Sequence, residues 1–203
     1  SNHPSIVTWV PINESWGVPA IGHDRQQQHF SQAMYHYIHS IDPTRLVISN
    51  DGWAMTETDI CALHNYSHGT EEEPEKYDYF KKTLSTRENL VSRMTSAWPV
   101  FAKGFAYQDQ PILLTEFGGI GFDVSGQPGW GYTSADNETD FLKDYQRIMT
   151  AVYQSVGLWG YCYTQITDVE QEINGLLTYD RQPKVPLAAI KKINDQFHAP
   201  QVD

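Results

Sequence analysis

The sequence predicts an α/β chain built on a buried parallel sheet and, within that class, a (β/α) barrel. Three observations carry this. Short, nearly continuous apolar runs alternate with amphipathic helical patterns, as in a parallel sheet covered on both faces. No GxGxxG turn follows the first run, although a doubly wound nucleotide-binding sheet usually carries one there. The apolar runs also end repeatedly on polar residues: Asn13-Glu14, Asn50-Asp51, His64 with Tyr66, Glu116, and Gln165 with Asp168. A barrel gathers its functional groups at the C-terminal ends of several strands. One polar strand end would be noise; five are a site.

The elements follow in order. Residues 5–10 (SIVTWV), bounded by Pro4 and Pro11, read as a first strand. From Asp24 to Ile41 the period becomes helical, with Phe30, Met34, Tyr37, Ile38 and Ile41 on one face expected to pack inward. Asp42-Pro43 ends that helix. RLVISN (45–50) and DICALHNY (59–66) are the next strands, joined by a link too short for a full crossover helix. The acidic stretch 71–82 is a solvated loop entering a helix that stops before Trp98-Pro99. PILLTEF (111–117) is the fourth strand and 118–134 a Gly-rich loop. A helix over about 137–156 buries Phe141, Tyr145, Ile148, Met149 and Val152. GLWGYCYTQ (157–165) is the fifth strand, and a helix from Pro186 to Phe197 ends the pattern.

At 203 residues the chain has enough length for one sizeable core, so residues 1–203 are expected to form a single domain. Lys plus Arg number 14 against 25 Asp plus Glu, a net charge of −11. Nucleic acid and anionic membranes reward a basic surface, so neither is expected as a partner. No apolar run is long enough to span a bilayer as a helix. Cys61 and Cys162 both fall in apolar runs and read as buried thiols rather than a disulfide or metal site. His64 and His68 are four apart but in strand and loop, where that spacing loses its meaning as a metal motif. His29, His36 and His39 read as a solvated helix face. No metal and no cofactor is expected.

Two strand-end carboxylates on different strands, Glu14 and Glu116, suit glycoside hydrolysis. That reaction needs one carboxylic acid to protonate the leaving oxygen and one carboxylate to attack the anomeric carbon or activate water. Aromatic loop residues suit sugar rings, which are flat and apolar on one face.

These segments also carry a resemblance. NHPSIVTWVPINESWG (2–17) resembles the acid/base segment of family 2 glycoside hydrolases, where an HPSI…W…NE pattern ends the fourth barrel strand. PILLTEFGG (111–119) is similar to that family's nucleophile segment on the seventh strand, and 161–184 to the eighth-strand loop of its β-galactosidase and β-glucuronidase branch. The resemblance implies a partial (β/α)8 TIM barrel, strands four to eight. The first three strands and the preceding β-sandwich domains would be the missing N-terminal part. It further implies a retaining, exo-acting, β-galactosidase-like enzyme acting on a β-linked oligosaccharide or glycoside. Glu14 then matches the general acid/base, Glu116 the nucleophile, Asn13 the residue that holds the sugar 2-hydroxyl, and Tyr66 a tyrosine that hydrogen-bonds the nucleophile.

Asp51, Trp53, His64, Trp130, Trp159 and Gln165 complete the candidate substrate-binding set. β-Glucuronidase and β-mannosidase are the nearer alternatives, and a non-catalytic carbohydrate-binding derivative the more distant one. The Asn-x-Lys signature of glucuronidases does not occur after Glu116, which weighs against the first. A chain holding strands four to eight alone would expose edges at SIVTWV and LWGYCY, inviting self-association.

Overall fold

The computed structural model describes residues 3–92, 98–124, 126 and 128–196. Packing divides the chain into two compact units. The first comprises Ser1–His64 and Glu88–Thr115, the second Asn65–Arg87 and Glu116–Asp203.

In the first unit, β1 (Thr8–Trp9) pairs in parallel with β2 (Leu46–Val47), Thr8 opposite Leu46. Both are shorter than the apolar runs around them. Between them lies α1 (Arg25–Ile41), capped by the Asp24 carboxylate, which accepts the Gln26 N–H at 2.8 Å. The cap and the extent match the sequence pattern; the orientation does not. Met34 and Ile38 of the expected face are half-buried, but Phe30, Tyr37 and Ile41 are 53%, 61% and 66% exposed, and the buried residues, Gln28 and Ser31, are polar. Gln28 Nε2 donates to the carbonyls of Ile21 and Lys103, Ser31 meets the Thr56 hydroxyl at 2.8 Å, and the Tyr35 hydroxyl donates to Asp59 at 2.6 Å. His39 reaches the other Asp59 oxygen at 2.9 Å, so it is not a solvated residue. Asp59 also accepts the Val47 N–H, tying α1 to β2. Groups 28, 31, 35 and 39 form one helical seam. Turning this face outward would strand buried carbonyls and a carboxylate, a larger cost than leaving an apolar stripe in water.

β3 (Cys61–Asn65) and β4 (Ile112–Phe117) are neighbours in a three-stranded sheet, with β7 (Gly160–Tyr161) on the other side of β4. Cys61 is buried as expected, its thiol pKa pushed up to about 12 by burial, whereas Cys162 is exposed just beyond β7. The acidic stretch enters α2 (Pro74–Leu84), followed by α3 (Arg87–Leu90). The predicted end of that helix falls on 93–97, outside the described residues.

In the second unit the Gly-rich loop contains its own pair of strands, β5 (Ile120–Gly121) and β6 (Thr133–Ser134), parallel with Ile120 opposite Thr133. α4 (Glu138–Tyr153) is capped by Asn137 and buries Phe141, Tyr145, Ile148, Met149 and Val152, the expected face. It packs against α2, where Phe80 and Leu84 are fully buried, and against α5 (Leu187–Asn194), where Asn194 accepts from the Tyr145 hydroxyl at 2.8 Å. No helix among the described residues is long and apolar enough to cross a membrane.

Candidate active site

Each unit carries one candidate carboxylate with its own surroundings. In the first, the chain leaves β1 and turns through Glu14 and Ser15, both with positive φ (50° and 60°). The turn is pinned from β2's continuation. Asn13 bridges Asp51, the Glu14 N–H donates to the Asp51 carbonyl at 2.9 Å, and the Ser15 N–H donates to Asn50 Oδ1. Asn50 is fully buried and returns its amide to the Ser15 hydroxyl and the Trp53 carbonyl. This lattice fixes an uncommon backbone geometry and aims the Glu14 carboxylate.

Glu14 Oε1 lies 2.8 Å from His64 Nδ1, and His64 Nε2 lies 3.2 Å from Asp51 Oδ1. Thr115 donates its hydroxyl to the same Asp51 oxygen at 2.5 Å. The result is a chain Glu14–His64–Asp51–Thr115. A Cβ on Gly52 would stand 2.8 Å from the His64 ring, so the close turn at 52 requires glycine. His64 is buried, and Trp53 packs half-buried on Ile12, Val18, Ile21 and Ala54 with its ring edge-on to His64. Among the candidates here, Asn13 is exposed and its side chain is open to solvent, whereas Trp53 and His64 serve the interior.

In the second unit Glu116 sits one residue before the end of β4, partly accessible. The Tyr66 hydroxyl donates to Glu116 Oε2 at 2.8 Å and meets Thr164 Oγ1 at 2.9 Å. The phenol pKa is raised well above its ordinary value, by burial first and by the Glu116 charge as well. Gly118 and Gly119 follow with φ of 85° and 66°. A Cβ on Gly118 would overlap the Tyr163 ring at 2.2 Å, so only glycine lets the strand turn here. The Gly118 carbonyl faces His68 Nε2 at 2.7 Å, and His68 Nδ1 faces the Gly69 carbonyl at 2.9 Å. Arg147 donates to the carbonyls of both His68 and Gly69, holding the segment after Tyr66 on α4.

The remaining candidates belong to this unit. Trp130 is exposed, exchanges backbone hydrogen bonds with Gln171 and Ile173, and stands edge-on to Tyr132. Gln165 uses its amide on Glu172 and Asn174, within the loop after β7. The same loop is anchored by Lys184, buried and donating to Asp168 and to the carbonyls of Phe122 and Ile173. Trp159 is exposed just before β7.

Four participants were missed: Thr115, Thr164, His68 and Tyr132, whose ring stacks on Tyr66 at 3.4 Å and 4°. Thr115 and Thr164 adjoin residues that were singled out, and Tyr132 shares the Gly-flanked loop of Trp130. His68 has only its spacing from His64, which carries no meaning in strand and loop.

A family profile for the glycosyl hydrolases family 2, TIM barrel domain, matches residues 1–199, and the chain belongs to that family. Solved structures agree in fold. A β-glucuronidase from Faecalibacterium prausnitzii superposes with a TM-score of 0.64 at 17% identity, covering 98% of this chain and 33% of its own. Bifidobacterium dentium β-glucuronidase, complexed with coumarin-3-O-glucuronide, gives 0.63 at 21%, covering 96% and 31%. A β-galacturonidase from Eisenbergiella tayi gives 0.63 at 17%, covering 100% and 35%. The chain thus spans about a third of the length of these relatives. Among curated protein sequences no match is found.

Proposed function

We propose that the protein carrying this chain is a retaining, exo-acting β-glycosidase of neutral hexosides, β-galactosidase-like. Glu116 is its nucleophile and Glu14 its general acid/base. The observation that carries the proposal is the phenol of Tyr66 on Glu116 Oε2. A neutral donor on one carboxylate oxygen orients the other for attack on the anomeric carbon and adds no competing charge. Glu14 then protonates the departing oxygen. Once the glycosyl ester on Glu116 has formed and the leaving group has gone, the Glu14 carboxylate takes a proton from water as the water oxygen bonds to the anomeric carbon and the ester bond breaks, freeing Glu116. In this reading Asn13 holds the sugar 2-hydroxyl, and Trp130 and Trp159 offer ring faces.

The neutral glycone is supported by charge. The loops 51–58, 118–134 and 162–180 contain no Lys, Arg or His, whereas a uronate needs a cation to read its carboxylate. A uronide-specific reading stands beside it because the similar structures named above are uronidases.

A panel of nitrophenyl glycosides on the full-length protein decides between them, with the anomer released followed by NMR. β-Hexoside turnover with retention is expected. Preference for a glucuronide would move the specificity, and an inverted product would remove the nucleophile role of Glu116.

A further inference from the structure

Lys184, in the second unit, is a buried cation that the chemistry proposed above does not use. Its side chain is 0% exposed, and its ammonium donates to Asp168 Oδ1 at 2.6 Å, to the Phe122 carbonyl at 2.9 Å and to the Ile173 carbonyl at 2.8 Å. An ammonium has three donors, so none is left for a substrate anion. The residue is a support, and it supports two loops at once. Phe122 belongs to the Gly-rich loop after β4, whereas Asp168 and Ile173 belong to the loop after β7. Trp130 is strung between them by its backbone. Its N–H donates to the Gln171 carbonyl at 2.8 Å, and its carbonyl accepts the Ile173 N–H at 3.0 Å. The Ile173 carbonyl in turn accepts both the Phe122 N–H and the Lys184 ammonium.

We propose that Lys184 is a positioning residue: by holding the two loops together it aims the ring of Trp130, and so sets how tightly substrate binds rather than how fast it reacts. The proposal rests on the glycosidase reading above in giving that ring a sugar to face. A charge out of water is tolerated only while its hydrogen-bond partners are in place, so the buried ammonium dictates where the two loops lie. Removing it would strand the Asp168 carboxylate and two carbonyls together. Trp130 cannot hold its own position by packing, because its side chain is 47% exposed and meets Tyr132 only edge-on. Its backbone partners do the aiming, and Lys184 fixes them. Glu116 is held separately, by β4 and the Tyr66 hydroxyl. Loss of the ammonium should therefore reach binding and spare the chemical step.

In the full-length protein, Lys184→Met keeps the apolar stem and removes the ammonium. KM for a neutral nitrophenyl β-hexoside is expected to rise roughly tenfold, the scale of one lost aromatic contact, with kcat little changed. A fall in kcat as large as the rise in KM overturns the binding role. In a Trp130→Ala background the same change should add nothing further to KM; full additivity would show that Lys184 does not act through Trp130. Should Lys184→Met fail to fold, pairing it with Asp168→Asn leaves no charge unpaired, and the same rise in KM is expected. Return to the parental KM in that double variant would mean that Lys184 only balances Asp168, which also overturns the proposal. Hydrogen exchange gives a readout without turnover. The amides of Phe122, Trp130 and Ile173 should exchange roughly tenfold faster or more without the ammonium, while those of Gly119 and Thr164, paired beside β4, keep their rates. If they do so and the parent turns over no glycoside, the positioning role stands and the glycosidase reading falls. Unchanged exchange overturns the positioning role whatever the hydrolysis.

Discussion

The two units hold their carboxylates by different chemistry. Glu14 sits on a left-handed turn and touches an imidazole that itself touches a second carboxylate, Asp51. Glu116 sits in regular strand and touches a phenol whose proton is held by burial. The imidazole sets one ring nitrogen beside each carboxylate, whereas the phenol sets a single hydroxyl on its one. The first environment can pass a proton, and the second can only hold an orientation. An acid/base needs the former and a nucleophile the latter, so the contrast accords with the roles proposed for them.

The strongest way to break the contrast is to remove each carboxylate in the full-length protein. Glu116→Gln should abolish turnover for every leaving group. Glu14→Gln should cost about 10²–10⁴-fold on poor leaving groups, the span of general acid catalysis, and far less on activated ones. Rates measured across a series of nitrophenyl and alkyl glycosides separate the two. Identical leaving-group dependence in both variants would sink the assignment.

Next in size, Tyr66→Phe removes one hydrogen bond to a charged acceptor. Such bonds contribute about 1.5–3 kcal/mol, so kcat should drop about ten- to a hundred-fold with KM little changed. His64→Gln should instead resemble Glu14→Gln, hurting poor leaving groups most. A Tyr66→Phe loss confined to poor leaving groups would place Tyr66 with the acid and undo the comparison.

The units differ as much in how their long helices pack, and here the sequence was legible in one and misleading in the other. α4 buries the face its period shows, so Phe141→Ala should cost about 3–5 kcal/mol in denaturant unfolding. α1 shows a period just as clear, yet Phe30 lies in water and Phe30→Ala should change stability by about 0.5 kcal/mol or less. Periodicity reports that a helix has two faces. It does not report which face finds partners, and for α1 those partners are the carbonyls of Ile21 and Lys103 and the carboxylate of Asp59. The site followed the same logic. Glu14, Glu116 and Tyr66 were readable because they end strands or adjoin a motif. His64 and Trp53 were readable as neighbours of the site but not as interior supports, since burial depends on what packs over them. Strand ends such as those of β1 and β7 were overestimated, because an apolar run marks burial and not ladder pairing.

The smallest effect concerns His68, whose spacing from His64 carries no metal reading and which the structure shows as a clamp. Both ring nitrogens face backbone carbonyls, those of Gly69 and Gly118, an arrangement only the doubly protonated ring satisfies completely. Burial nevertheless holds its pKa below the ordinary value, and the Arg147 guanidinium adds to this; the two carbonyls and Asp144 pull the other way. Phe80 of α2 covers the ring edge-on and carries no charge. A folded-state pKa below the unfolded value of about 6.5 means that the unfolded chain binds the extra proton. The stability this residue contributes is therefore full above that pH and is lost as the pH falls through it. Unfolding of the full-length protein by denaturant at pH 7.5, 6.5 and 5.5 should show a decline that is shallower in His68→Gln, which keeps a donor and cannot titrate. An identical decline in the two proteins would mean that the ring already carries its proton when folded, and that the two carbonyls outweigh burial.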